Sequence, residues 1–183
     1  YGELPTAAQR KAFGDLLRQN AAIEPQMQEI FQGYPKNAPP MAMLSSIVAS
    51  LAAHYPHLAT NDFEKDLKNF DLAAAMAISK IRTIGAMIYR YQRGLPYIAP
   101  KDIHFADNFL HMMFSEPGKD FVASPEVANA INTLLLLHAD HEQNCSTSTV
   151  RMVGSSAANL FTSLSAGICA LSGPLHGGAN AAV

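Results

Sequence analysis

Three of the seven histidines stand where an imidazole can do chemistry. His138 and His141 follow a leucine run at 134–137 in the stretch LLLLHADHEQNCSTST, and their spacing of three predicts that both rings share one side of a helix end. The dipole there favours the protonated ring. With Asn144 and Ser146 close by, the cluster offers N–H donors suited to a small anion bearing carboxylates and a carbonyl. His176 lies in GPLHGGAN at 173–180, a breaker-rich turn leading into small residues at 179–182. Its position before Gly177 and Gly178 predicts the start of a helix, whose positive end lowers an imidazole pKa. A neutral histidine so placed still donates a hydrogen bond to a carbonyl oxygen gaining negative charge, and glycine beside it leaves room for a substrate.

The same residues admit plainer readings. His138, His141 and Cys145 could present three metal ligands along one helical face, although the H-E-x-x-H pattern is absent. Gln143, Asn144 and the hydroxyls at 146–149 favour leaving the helix, which sends Cys145 elsewhere. Alternatively both histidines only hydrogen-bond at a helix end, and His176 is a surface residue on a flexible glycine turn. Arg151 is placed to reach a carboxylate, to form a structural salt link or to pack at a subunit contact. Cys145 and Cys169 read as small buried residues, and Met112 and Met113 as core filler.

Helices must position these groups. Thr6 and Gln9 form a capping box, and Phe13, Leu16 and Leu17 mark the apolar face of a first helix. Pro25, Pro35, Pro39 and Pro40 leave room for only a short helix at 27–31. From Met41 to His54 the stripe Leu44, Ile47, Val48 and Leu51 marks a nearly uncharged helix that should be buried. Asn61 with Glu64 offers another helix start. Ala77, Ile81, Ile84, Ile88 and Tyr91 recur at helical spacing, with Arg90 and Arg93 in the last turn and Gly94 beyond it. Ser124, Pro125 and Glu126 supply a cap, a first-turn proline and a favourable charge for the helix that delivers the histidine pair. In the last full helix Leu160, Leu164, Ile168 and Leu171 form the stripe, while Ala166, Gly167 and Ala170 permit close approach by a neighbour. Between 97 and 119 only 105–114 reads as helical. No segment alternates with period two and nothing repeats, so the fold class is all-α.

Composition sets wider bounds. The chain has 183 residues, 49% hydrophobic and 15% charged, with a net charge of −2, which excludes a disordered chain and a basic footprint for nucleic acid. Two cysteines make no disulfide framework and no leader precedes Tyr1, so a reducing cytoplasm is expected. Charges break every apolar run within about a dozen residues, too short to span a membrane. The uncharged helices beginning near Met41 and Leu160 suggest packing against another copy of the chain.

The segments H-x-D-H-E with a following Asn and Ser/Thr-rich stretch, at 138–149, and G-P-x-H-G-x-A-N, at 173–180, resemble those of citrate synthase, bacterial type. Weaker similarity runs through 1–6 and 108–115. The resemblance implies the multi-helical large-domain fold, truncated at both ends, since the chain lacks an initiator methionine and stops at Val183. The small CoA-binding domain is expected outside it. The implied reaction condenses acetyl-CoA with oxaloacetate to citrate and CoA, in the citric acid cycle. His176 falls on the family's catalytic histidine, which stabilises the enol or enolate of acetyl-CoA while an aspartate removes a methyl proton. His141 falls on a histidine that binds oxaloacetate, His138 on a neighbouring pocket histidine, and Asn144 and Ser146 support that shell.

The aspartate, a second catalytic histidine, the substrate-clamping arginines and most CoA-binding segments lie beyond Val183, so the chain alone should be inactive. Neither a metal nor a cofactor is implied, acetyl-CoA being a substrate, and a homodimer or larger homo-oligomer is expected. Methylcitrate synthases usually carry Phe-Asn after H-E, whereas Gln143-Asn144 stands here, which favours acetyl-CoA over propionyl-CoA and leaves 2-methylcitrate synthase as the alternative. No nucleotide-binding fingerprint bears on NADH response. Two other classes remain: a metal-dependent hydrolase using His138 and His141, and a non-enzymatic all-α assembly module.

Overall fold

Thr6 opens the first helix as its sequence predicts. Its hydroxyl accepts from Gln9 N at 3.2 Å while Gln9 Oε1 accepts from Thr6 N at 2.8 Å, which satisfies two amides of α1, Ala7–Gln19. The computed structural model describes residues 3–60 and 62–178. Among them eight further α-helices follow before Ser172: α2 (Pro25–Glu29), α3 (Pro40–His54), α4 (Phe63–Lys68), α5 (Phe70–Gln92), α6 (Phe105–Phe114), α7 (Pro125–Leu137), α8 (Cys145–Gly154) and α9 (Leu160–Leu171), with short 3-10 turns at Ile30–Gly33 and Pro56–Leu58. No strand occurs among the described residues, and an isolated bridge joins Glu116 and Lys119. The architecture is all-α.

The centre of the core is α5. It buries Ala73, Met76, Ala77, Ile84, Met87 and Ile88, and packs α1, α3 and α6 around itself. Polar side chains on its buried face are each tied to a neighbour. Ser79 Oγ donates to Leu17 O and Thr83 Oγ1 to Ala21 O, both at 2.7 Å, and Lys80 Nζ donates to Ala22 O at 2.6 Å beside Glu24. By length and composition α5 could cross a membrane, yet 67% of its most apolar window is buried in the fold and it carries Lys80, Arg82 and Arg90. It is a core helix.

Its C-terminus ends on Gly94 in the left-handed region (φ 67°), with Gly94 N bonded to Tyr91 O and Leu95 N to Arg90 O. Arg90 departs from expectation. Its guanidinium is buried and donates to Met113 O and Ser115 O, each at 2.9 Å, and to Pro96 O. It therefore serves the orphan carbonyls of α6 rather than the end of its own helix. The start of α4 differs too. Its cap is Asp62, whose Oδ1 accepts from Lys65 N at 3.2 Å, and Asn61 lies outside the described residues.

The Met41 helix is buried as expected, through Met43, Ile47, Val48 and Leu51, and within the chain it packs against α9. Ser165 Oγ donates to Ser45 O at 2.7 Å and ties the two together. In α9 the fully buried residues are Phe161, Ser163 and Gly167, while Leu160, Leu164 and Ile168 are half-buried and Leu171 is exposed. The small side chains let backbones approach. A Cβ on Gly167 would stand 2.5 Å from Val150 Cγ2, so this glycine sets how closely α8 lies on α9. Cys145 and Cys169, expected to be buried, are both exposed: the first opens α8, and the second lies near the end of α9. Four consecutive exposed leucines close α7, those at 134–137 being 51%, 47%, 74% and 62% accessible.

Candidate functional site

Ser124 caps α7 by accepting from Val127 N at 3.4 Å, and the helix runs to Leu137. His138 is its C-cap. Both its backbone N (3.1 Å) and its ring Nδ1 (2.8 Å) reach Leu134 O. A carbonyl only accepts, so Nδ1 carries a proton and Nε2 is the acceptor of the neutral ring.

His141 lies beyond the helix, contrary to the shared-face expectation. The chain instead turns through 139–144, with Asp140 Oδ1 accepting from Glu142 N at 2.9 Å and Glu142 at φ 54°. This turn brings the two rings to a centroid separation of 5.6 Å. Helical spacing misled here because α7 stops at the first of the two histidines.

Asn144 then caps α8. Its Oδ1 accepts from Thr147 N at 3.0 Å and from Ser146 Oγ at 2.8 Å, and its Nδ2 donates to Glu142 O at 3.1 Å. Its carboxamide thus builds the turn and the helix start that support the histidines.

His176 reaches the same helix start from the other side. Its Nε2 lies 3.0 Å from Ser146 Oγ and 3.4 Å from Ser146 N, a partner 30 residues away. An amide N–H only donates, so the 3.4 Å contact calls for an accepting Nε2 with the ring proton on Nδ1, whereas the Ser146 hydroxyl, its one proton given to Asn144 Oδ1, bonds at 3.0 Å only to an Nε2–H; the two contacts call for opposite tautomers of the ring. The amide belongs to the second residue of α8, one of the donors that a helix start leaves unpaired. Thus the two motif segments meet. His176, Ser146 and Asn144 are half-buried, whereas His138 and His141 are exposed.

The glycines after His176 are not a flexible turn. A Cβ on Gly177 would stand 2.4 Å from Leu171 O, and one on Gly178 would stand 2.9 Å from Gly173 O. The expected room for a substrate is filled by the chain's own backbone, wound under the end of α9, with His176 N and Gly178 N both bonded to Gly173 O at 3.0 Å. Residues 177 and 178 are helical, in accord with a helix start there, and 179–180 of the motif lie outside the described residues.

Two participants escaped sequence reasoning. Asp140 sets the turn, and an acidic residue two positions before a left-handed one was a readable Asx signal. Gln143 reads in the sequence as a helix-leaving residue and a mark of specificity, yet its Oε1 accepts from Arg151 Nη1 at 3.1 Å and its Nε2 donates to Ser148 Oγ at 2.8 Å. Arg151 therefore meets a neutral carboxamide, neither a carboxylate nor a salt-link partner. A cavity of about 330 Å³ lies between α8 and α9, lined by Ser146, Thr147, Val150, Arg151, Gly167 and Ile168. A larger one, about 630 Å³, sits by His104, His111 and Asp120 and includes no residue of either motif. Among the described residues no group of three or more His, Cys, Asp or Glu is placed to hold a metal ion.

Known proteins resemble this chain in sequence and in fold. The family model for citrate synthase, C-terminal domain, matches residues 1–183. Citrate synthase 1 of Mycobacterium tuberculosis is 45% identical over 184 residues, covering 100% of this chain and 42% of that protein. Among solved structures, citrate synthase from Pyrobaculum aerophilum superposes with a TM-score of 0.85 at 32% identity, over 100% of this chain and 46% of its own. That of Thermoplasma acidophilum, a ternary complex with carboxymethyl coenzyme A and oxaloacetate, gives 0.87 at 28% identity, over 100% of this chain and 45% of its own. The chain thus spans less than half the length of these relatives. With a family match over its whole length and both motif segments joined at the start of α8, the chain belongs to the citrate synthase family.

Proposed function

We propose that the chain supplies part of the active site of an enzyme that condenses acetyl-CoA with oxaloacetate and water to give citrate and CoA. The observation that carries this reading is the contact of His176 Nε2 with Ser146; in the form taken here the Ser146 amide donates to Nε2 and the ring proton sits on Nδ1. A neutral imidazole so held donates from Nδ1 to the thioester carbonyl oxygen. When a carboxylate elsewhere in the longer polypeptide removes a methyl proton, charge moves onto that oxygen and the hydrogen bond strengthens. The resulting enol or enolate carbon attacks the ketone carbon of oxaloacetate, and hydrolysis of the thioester releases citrate and CoA. His141 donates to oxaloacetate. His138, with Nδ1–H engaged on Leu134 O, donates to a carboxylate only as the imidazolium. Asn144 and Ser146 hold the surrounding shell.

In this reading residues 1–183 are part of the large domain. The aspartate, the second histidine, the clamping arginines and the small CoA-binding domain belong to the remainder, so the chain by itself does not turn over. The enzyme is cytoplasmic, uses neither metal nor cofactor, and forms a homodimer or larger homo-oligomer. The complex named for the Thermoplasma acidophilum relative supports the choice of substrates.

The test is thiol release from acetyl-CoA, with and without oxaloacetate, by the longest polypeptide the gene encodes. Oxaloacetate-dependent release that His176→Ala abolishes is the expected result. Release from propionyl-CoA in preference would mean 2-methylcitrate synthesis. No release from either would overturn the reading, as would full turnover by residues 1–183 alone for the claim of incompleteness.

A further inference from the structure

We propose that Arg151 is a positioning residue for the oxaloacetate-binding turn, holding through Gln143 the left-handed backbone at Glu142 that sets His141 beside His138. The inference rests on the functional reading above. Glu142 has φ 54°, a conformation that a residue with a Cβ rarely keeps unless its surroundings impose it. Three groups impose it here. Asp140 Oδ1 accepts from the Glu142 amide and Asn144 Nδ2 donates to the Glu142 carbonyl, both bonds internal to the turn. The third is Gln143, the next residue along. Its side chain is folded back against α8 and held at both ends, by Arg151 Nη1 at 3.1 Å and by Ser148 Oγ at 2.8 Å.

Arg151 stands about two turns into α8, on a segment whose own seat on α9 is set by Val150 and Gly167. The bond from Arg151 to Gln143 therefore ties the turn to the rigid part of the hairpin, which neither bond inside the turn can do. Among the described residues Arg151 pairs with no carboxylate, so its guanidinium is directed at a neutral acceptor. Such a contact aims a side chain without neutralising a charge. Losing it leaves Gln143 tied to α8 by Ser148 Oγ alone, which loosens the turn and lets Glu142 relax toward the common region, carrying His141 away from His138.

The experiment uses the full-length enzyme and compares Arg151→Met, Gln143→Leu, the double variant, and Arg151→Met combined with Glu142→Gly. Because a displaced ligand weakens binding more than chemistry, KM for oxaloacetate is expected to rise roughly tenfold in each single variant, with KM for acetyl-CoA unchanged. The double variant should match Gln143→Leu, which already removes the acceptor of the Arg151 bond along with the bond to Ser148. Glu142→Gly tolerates the left-handed backbone without support and should recover most of the lost affinity. A raised KM in Arg151→Met with Gln143→Leu at the wild-type value would show that Arg151 meets the substrate directly and would overturn the proposal. Unchanged KM in both singles would overturn it as well. A wild-type enzyme without any oxaloacetate dependence would instead remove the functional reading on which it stands.

Discussion

Gly167→Ala tests whether the seat of α8 on α9 governs the chemistry. A methyl group there would stand 2.5 Å from Val150 Cγ2, where carbon atoms rest about 3.5–4.0 Å apart. Val150 is β-branched and stiff at χ1, so relief comes mainly from separating the helices by about 1–1.5 Å. Val150 lies one turn beyond Ser146, whose amide reaches His176 Nε2 at 3.4 Å; a further ångström breaks that bond. Two terms oppose each other in stability. Overpacking costs about 1–3 kcal/mol, and replacing a helical glycine by alanine returns about 1 kcal/mol. The net loss is about 0–2 kcal/mol, small enough to keep the protein folded. Activity should suffer far more, with kcat falling about 10²-fold because His176 loses its orientation. The assay is oxaloacetate-dependent thiol release by the full-length enzyme, alongside a denaturant melt. Val150→Ala removes Cγ2 and should restore most of the rate. A Gly167→Ala enzyme within twofold of wild type, or one that Val150→Ala fails to rescue, would refute the reasoning.

Further predictions concern single residues. Ser146→Ala keeps the amide that holds His176 Nε2 but removes the hydroxyl at 3.0 Å, so kcat should fall about tenfold, well short of the loss in His176→Ala. Arg90→Met strips the carbonyls of Met113 and Ser115 of their buried donor and should lower unfolding free energy by about 3 kcal/mol in a denaturant titration. By contrast, burial pushes the Arg82 guanidinium down to about 10 and two of its nitrogens lack partners, so Arg82→Met should change stability by no more than about 1 kcal/mol, or raise it. His111 is buried with Nδ1 at 2.8 Å from Ser115 Oγ, and its pKa is lowered by burial first and by Lys101 second, against the opposing pull of Asp120. The unfolded chain therefore takes up the proton first. Stability is full above the ordinary value of 6.5 and declines as pH falls below it, which denaturant midpoints should show and His111→Gln should flatten.

Some of this protein is written locally. The capping box of Thr6 and Gln9, the Ser124-Pro125-Glu126 start of α7 and the Gly94 stop of α5 all hold, because a helix end is satisfied by atoms within a few positions of it. The all-α class follows from the same periodic signals, and the motif segments identified the family before any contact was known. Tertiary structure decided the rest. Whether His176 reaches Ser146 depends on Gly167 admitting Val150, a contact between two helices that no local pattern specifies. Arg90 looks like the last-turn cation of its own helix until the end of α6 arrives beside it, and its buried charge then goes to the carbonyls left unpaired there. His141 was misplaced because spacing describes a helix only while the helix lasts, and α7 ends where the turn of Asp140, Glu142 and Asn144 gains more hydrogen bonds than another helical step would. Local hydrogen bonding sets where elements begin and end; close packing between distant elements sets which side chains meet.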